Sequence, residues 1–255
     1  MPKLVDDYTK DDWLVANTHG AITQNTVIHR VFRTDHLLGD LKSGINTLVH
    51  PCFETQKDDL ENPLKDTLFT VDGLQHQLFS SLMAEYYAQS WSLTKPAWGI
   101  FGEGEDAVRV TSTVGSIFRR LMDEGDRFYS LYYHAGLVEY HDANAIRQSL
   151  VNRNFEDFLD SQSYTLLKTV LKIRADFDRE SEVRFVYIRS PRGGNEYPLR
   201  HRVFGSQSQF CAHAFNWRGV IQEFEFSPDN TADHPDLHAE LERITGKECD
   251  RNCAS

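Results

Sequence analysis

Alternation of apolar and charged residues marks one strand late in the chain, in the stretch FDRESEVRFVYI at residues 177–188. Three apolar residues two positions apart predict a side that faces a core: Val183, Phe185 and Tyr187. The opposite side would carry Glu180, Glu182 and Arg184. Two interpretations of that charged side stay open. It lines a cleft where chemistry takes place, or it is the solvated half of an antiparallel sheet.

The same periodicities predict the other elements. Strands are predicted at residues 26–32, 45–50, 85–93, 107–111, 131–140 (kinked at Gly136) and 220–226. Helices are predicted at residues 13–16, 35–44 (capped by Thr34), 74–83, 114–122 (capped by Ser112 or Thr113), 149–159, 163–173 and 235–244. Strands and helices intermingle without strict alternation. The pattern therefore predicts one α+β domain over residues 1–255, with a core at about 26–228 and a polar helix and tail at 229–255.

Composition narrows the class of protein. The 255 residues are 40% hydrophobic and 25% charged, as in an ordinary soluble domain. No apolar run reaches the roughly 18 residues of a membrane span, and the amino terminus has no apolar signal core, so we expect a cytoplasmic protein without a membrane partner. Four scattered cysteines do not form the disulfide framework of a secreted scaffold: Cys52, Cys211, Cys249 and Cys253.

Charge is distributed unevenly. The net charge of -11 argues against a protein that coats nucleic acid through general electrostatics. Residues 168–202 nevertheless hold nine basic against five acidic side chains. A confined site for a phosphate-bearing ligand or an RNA segment stays open, beside the simpler interpretation of a basic surface loop.

Three predicted strands each carry polar side chains: Arg30 beside His29, Ser90 with Ser92, and Glu180 with Glu182. Their order, Arg then Ser-x-Ser then Glu-x-Glu, resembles the three-strand signature of the ADP-ribosyltransferase fold. The resemblance implies a mixed, split β-sheet core. It also implies that Arg30 holds a phosphate of NAD, and that Ser90, Ser92 and the intervening Trp91 shape the nicotinamide pocket. Glu182 would stabilise the cationic ribose, and Glu180 would contact the acceptor.

These residue types suit that chemistry. Cleaving the bond between ribose and nicotinamide builds positive charge on the sugar, and a fixed carboxylate favours that charge, as in glycosidases. An arginine binds phosphate oxygens through charge-assisted hydrogen bonds, each contributing roughly 1.5–3 kcal/mol. The reaction needs no metal.

A longer run of motifs resembles a widespread bacterial family of unknown function. The segments are IHRVFRTDHLLGDLKSGINTLVHP, LENPL, QSWS, Trp98, AVRVTST and FDRESEVRFV, in the family's order over residues 26–190. The resemblance selects Arg30, Glu61, Asn62, Ser90, Trp91, Ser92, Trp98, Thr111, Glu180, Glu182 and Arg184. His29 stands where the family has tyrosine, Ser90 where it usually has cysteine, and ETQKDDLEN is longer than the family's corresponding stretch.

Structural roles for the same residues stay open. Arg30 could form a buried ion pair with Glu61 or Glu182, and Trp91 and Trp98 could be core residues. The serines could be plain strand residues, and Glu61 with Asn62 could cap a helix. Separately, the spacings His234-x3-His238 and Cys249-x3-Cys253 fall near those of zinc ligands, although both pairs lie in a polar tail.

Together these features predict an NAD-dependent ADP-ribosyltransferase that modifies a protein or a nucleic acid, with NAD as substrate. A bacterial toxin with an antitoxin partner, or an antiphage defence effector, is the expected setting. Two alternatives remain: an NAD glycohydrolase that uses water as acceptor, and a non-catalytic module that binds a nucleotide or a partner.

Overall fold

A computed structural model describes most of the predicted core. It covers residues 8–49, 68–71, 75–78, 86–98, 106–123, 132–142, 144–146, 148, 164–174, 179, 181–188, 201–203, 210–228 and 234–247. Several predicted features lie outside these residues: Glu61, Asn62, Glu180, Cys249, Cys253 and the helix at 149–159.

Fourteen strands and five helices are assigned within these ranges. The strands are β1 Thr18–His19, β2 Val27–Arg33, β3 Ile45–Val49, β4 Leu68–Val71, β5 Gln75–Leu78, β6 Tyr86–Ser92, β7 Ala107–Thr113, β8 Tyr133–Leu137, β9 Glu139–His141, β10 Lys172–Arg174, β11 Glu182–Ile188, β12 His201–Val203, β13 Phe210–Ala214 and β14 Glu223–Phe226. The helices are α1 Lys10–Ala16, α2 Thr34–Ser43, α3 Val114–Asp123, α4 Tyr164–Val170 and α5 Pro235–Thr245.

Ten of the strands form one mixed sheet. Its main path runs β1-β8-β11-β6-β2-β7-β14, with β3, β13 and β12 branching from β6. The pair β1–β8 is parallel and the other pairs in this sheet are antiparallel. The strands predicted to carry the site, β2, β6 and β11, are therefore neighbours in the sheet.

The sheet forks at β6. One edge of β6 pairs along its length with β11, from Ser92 to Tyr86. The other edge meets β2 at Ser92 and β3 at Ala88. Because β2 and β3 share this edge, the backbone of Ser90 lies at the point where they diverge. The prediction of a single domain around a mixed sheet is confirmed.

One face of the sheet carries the core. Val183, Phe185 and Tyr187 are buried on this face as predicted, and the register aligns them with Trp91, Gln89 and Tyr87 on β6. Helices α1, α2, α3 and α5 contribute to the same apolar cluster through Leu14, Leu37, Phe118 and Leu241. No helix among the described residues has both the length and the apolar character needed to cross a membrane.

Four local predictions were wrong. Residues 75–78, expected in a helix, form β5 and pair with β4, because this tertiary pairing overrides the local helical spacing of apolar residues. Thr34 is the first residue of α2 and not its cap; its hydroxyl donates to the Asp106 carboxylate at 2.5 Å. The helix at 163–173 gives way to β10 at Lys172, and the break between β8 and β9 falls at Val138 instead of Gly136.

Gly136 serves close packing. A Cβ atom there would lie 2.4 Å from Cδ1 of Leu171, which follows α4 and is itself buried. We expect Gly136→Ala to lower the free energy of unfolding by about 1–3 kcal/mol, since Leu171 must move out of a packed position. Urea denaturation measures this change. Gly39→Ala is the matched control, because a Cβ there meets nothing within 4 Å; an equal effect in both variants would contradict the packing argument.

Candidate functional site

Five polar side chains lie in register across five neighbouring strands, on the face opposite the core. We call them the polar row: Glu182 on β11, Ser92 on β6, His29 on β2, Thr111 on β7 and Glu223 on β14. Glu182, Ser92, His29 and Thr111 are buried, with exposed fractions of 2%, 1%, 8% and 8%, whereas Glu223 is exposed. Buried polar groups need partners, so the contacts of each member define what the row can do.

Glu182 is held by an arginine of its own strand. Nε of Arg184 donates to Oε1 of Glu182 at 2.7 Å and Nη2 donates to Oε2 at 3.1 Å. The remaining Nη1 donates to the carbonyl of Val170 in α4 at 2.8 Å. The backbone N–H of Glu182 donates to the hydroxyl oxygen of Tyr140 at 2.8 Å. The two-point ion pair fixes the direction of the carboxylate and ties it to α4.

His29 supplies a neutral imidazole to the row. Its Nδ1 shares a hydrogen bond with Oγ1 of Thr111 at 3.0 Å. Burial lowers the pKa of His29, the positive charges of Lys95 and Arg109 lower it further, and Glu223 opposes them. With its pKa below the ordinary value, the ring is uncharged at neutral pH and can donate or accept one hydrogen bond at its second nitrogen.

The two serines of β6 face the same side as Glu182, as predicted. Ser92 is paired in register with Glu182 and with His29, and Ser90 with Arg184. Oγ of Ser92 accepts a hydrogen bond from the backbone of Thr94 at 3.4 Å. Trp91, between the serines, points to the core; it is fully buried, and its Nε1 donates to Gln89 at 2.9 Å.

Arg30 lies on the other face. Adjacent residues of a strand point in opposite directions, so Arg30 faces away from His29. Its register partner on β7 is Val110, a core residue. Its guanidinium lies 5.0 Å from the ring of Phe32 and donates to the carbonyl of Ser90, at the fork of the sheet. The structure thus brings His29, Ser90, Ser92 and Glu182 together and separates Arg30 and Trp91 from them. Of the two ion-pair partners considered for Arg30, Glu182 is paired with Arg184, and Glu61 lies outside the described residues.

Arg109 is a residue of this face that the sequence did not single out. It lies on β7 two positions from Thr111, hence on the same side, and its guanidinium packs 4.5 Å from the ring of Trp98. Nη2 contacts Oε2 of Glu225 at 2.5 Å and Nη1 donates to the carbonyl of Pro96 at 2.9 Å. The sequence signal that could have identified it is the alternation in AVRVT, which places Arg109 on the same side of the strand as Thr111.

The two histidines with zinc-like spacing have other contacts within the described part of the chain. Nε2 of His234 lies 2.6 Å from the Asp106 carboxylate, and the ring of His238 stacks on Phe226 at 4.2 Å. No group of three or more His, Cys, Asp or Glu side chains among the described residues is placed to hold a metal ion. Cys249 and Cys253 lie outside those residues, so the four-ligand arrangement stays an open alternative.

A histidine pair lies near the polar row, between β1 and β8. Nε2 of His19 is 3.2 Å from Nδ1 of His134, and burial, followed by the charge of Lys168, lowers the pKa of His19 to about 4. The unfolded chain binds the proton at about pH 6.5 and the folded chain does not. Stability is therefore present above that pH and is lost as the pH falls from 6.5 towards 4.

We expect about 1 kcal/mol of unfolding free energy to be lost between about pH 7 and pH 5, after allowance for solvent screening of a partly exposed ring. Denaturation at the two pH values measures it. His19→Gln should show a smaller difference between the two pH values than the parent, because glutamine does not titrate. An identical pH dependence in both proteins would show that other groups are responsible.

Comparison with known proteins adds no relative: no protein family, no curated protein and no solved structure matches this chain. The geometry of the polar row therefore carries the functional argument alone.

Proposed function

We propose that this protein is an NAD-dependent ADP-ribosyltransferase in which Glu182 stabilises the cationic ribose. The observation that carries the proposal is the alignment of Glu182, Ser92 and His29 in one row across three neighbouring strands. A carboxylate, a hydroxyl and a neutral imidazole at this spacing supply the groups that the reaction requires. The forked sheet supports an ADP-ribosyltransferase-like fold.

The reaction breaks the bond between C1′ of the ribose and the nicotinamide nitrogen, and the electron pair leaves with nicotinamide. A nucleophile of the acceptor then bonds to C1′ and gives up its proton to solvent. Glu182 faces the positive charge that develops on the sugar, and Arg184 holds the carboxylate in place. His29 and Ser92 offer hydrogen bonds to the ribose hydroxyls or to the nicotinamide amide.

The polar row also changes the assignment of the β2 residue that contacts NAD. His29 shares the face of Glu182, whereas Arg30 does not. We assign the contact with the nicotinamide half of NAD to His29 and a bracing role in the sheet to Arg30. The acceptor is a macromolecule, protein or nucleic acid, and the setting is a cytoplasmic toxin or antiphage effector.

Incubating the protein with NAD labelled in its adenosine half tests the proposal, with cell extract supplied as acceptor. Nicotinamide release with transfer of label to a protease- or nuclease-sensitive product is expected. Release without transfer would identify an NAD glycohydrolase that uses water as acceptor. If the protein releases no nicotinamide with or without extract, it is not an enzyme of this kind.

One observation favours a second candidate, a non-catalytic nucleotide-binding module. Both oxygens of Glu182 are engaged by Arg184, and the residue is only 2% exposed. An ion pair of this kind serves a structural role equally well. Such a module would bind NAD or a related nucleotide in a titration and release no nicotinamide.

A further inference from the structure

Two cations converge on a single carboxylate oxygen beside the polar row. Nη2 of Arg109 lies 2.5 Å from Oε2 of Glu225, and Nζ of Lys95 lies 3.8 Å from the same oxygen. Trp98 packs against the guanidinium at 4.5 Å. We call Arg109, Lys95 and Trp98 the cationic clamp, with Glu225 as its internal counter-ion. Oε2 of Glu225, near both an arginine and a lysine, occupies the position that a phosphate oxygen would take in an anion site.

Glu225 does not satisfy all the hydrogen-bond donors of the cationic clamp. Nε of Arg109 is buried and has no hydrogen-bond partner among the residues that the structure describes. An arginine presents Nε and Nη2 on one edge, and a phosphate accepts from both at once, whereas Glu225 engages Nη2 alone. An incoming phosphate would satisfy a donor that the internal carboxylate leaves open.

The clamp is also within reach of solvent. The side chains of Lys95 and Glu225 are 56% and 51% exposed, while that of Arg109 is 11% exposed and held against Trp98. Exposed ion pairs contribute little stability, typically about 0–1 kcal/mol, so Glu225 can be exchanged for another anion at small cost. The arginine stays oriented during the exchange because Nη1 remains bonded to the carbonyl of Pro96.

We propose that the cationic clamp binds the diphosphate of a nucleotide, with Glu225 occupying the phosphate position in the unliganded protein. The inference rests on the proposed function in one respect, namely that the nucleotide is NAD. Arg109 then takes the phosphate-binding role that the sequence assigned to Arg30, which lies on the other face.

The distance between the cationic clamp and Glu182 suits a dinucleotide. The register places Arg109 on β7 and Glu182 on β11, three strand spacings apart on the same face. With one step of two residues along β7, this gives roughly 14–16 Å between the Cα atoms. Both side chains are long, and His29 and Ser92 lie between them. A ligand that carries its phosphates several bonds from the cleaved sugar bridges this distance.

Calorimetric titration of the full chain with ADP and with inorganic pyrophosphate tests the site without any reaction. Arg109→Met should weaken the binding of both ligands about 10–100-fold, because it removes charge-assisted hydrogen bonds to the phosphates. Arg109→Lys, which keeps the charge and loses the fork, should weaken them less. Arg119→Met is the matched control, an arginine of α3 that pairs with Asp11 instead; its affinities should equal those of the parent.

Glu225→Gln gives the sharpest outcome. Removing the internal competitor should tighten pyrophosphate several-fold, whereas a purely structural Arg109–Glu225 pair would give no gain. The proposal is overturned if the parent binds neither ligand at millimolar concentration, if both Arg109 variants bind like the parent, or if Glu225→Gln leaves the affinity for pyrophosphate unchanged or lowers it.

Failure of this inference and failure of the proposed function are separable. ADP and pyrophosphate contain no nicotinamide, so their binding is measured independently of any cleavage of NAD. Binding that depends on Arg109, in a protein that never cleaves NAD, would retain the clamp and reject the enzyme. NAD cleavage with a KM unchanged in Arg109→Met would do the reverse.

Discussion

Glu182→Gln is expected to slow nicotinamide release about 100–1000-fold, the range seen when one preorganised electrostatic group is removed from an active site. Glutamine has nearly the same shape as glutamate and carries no charge to stabilise the ribose cation. The loss should appear in kcat, because the charge develops only in the transition state. Steady-state assay of nicotinamide release measures it.

A variant at an exposed pair controls for the change from glutamate to glutamine, and urea denaturation checks that Glu182→Gln itself stays folded. Glu240 on α5 forms the same kind of two-point pair with Arg243, through Nε at 3.0 Å and Nη2 at 2.6 Å. Glu240→Gln changes the same chemical group far along the chain and should leave turnover unchanged. If Glu182→Gln turned over NAD at the parent rate while folding normally, Glu182 would not be the catalytic carboxylate.

The faces of β11 could be predicted from the sequence because charged and apolar residues alternate from Glu182 to Phe185, before Val186 and Ile188 make the other side apolar as well. Val183, Phe185 and Tyr187 are all buried in the core, and Glu182 and Arg184 occupy the other side. On β6 only residues 90–92 alternate, which was enough to place the two serines on one side and Trp91 on the other. In these two segments the local sequence pattern agrees with the tertiary environment, so the sequence alone is enough to predict which way each side chain points.

The same rule could not choose between His29 and Arg30. Adjacent residues face opposite ways, so only one of them can share the face of Glu182, and β2 has apolar residues on both sides. The choice depends on the register of β2 with β6 and β7, which is a property of the sheet. Arg109 was missed for a related reason. Its candidate role in anion binding depends on contacts with Trp98, Lys95 and Glu225, which lie in other segments of the chain.

Arg184→Met is expected to lower the free energy of unfolding by about 3–5 kcal/mol, the largest stability effect among these variants. The substitution leaves the carboxylate of Glu182 buried, at 2% exposure, without the cation that neutralises it. It also removes the hydrogen bond from Nη1 to Val170 in α4. Urea denaturation monitored by tryptophan fluorescence measures the change. Arg243→Met, at the exposed pair on α5, should have little effect.

A double-mutant cycle then separates the two explanations for the pair. Removing both charges with Glu182→Met and Arg184→Met should destabilise the protein less than Arg184→Met alone, since no buried charge remains uncompensated. If the double variant recovers stability but loses the nicotinamide release that the parent shows, the fold does not require the pair, and catalysis explains why a charged pair occupies this site. If the costs of the two single variants simply add, the two side chains are not coupled, and Arg184 cannot be the group that positions Glu182.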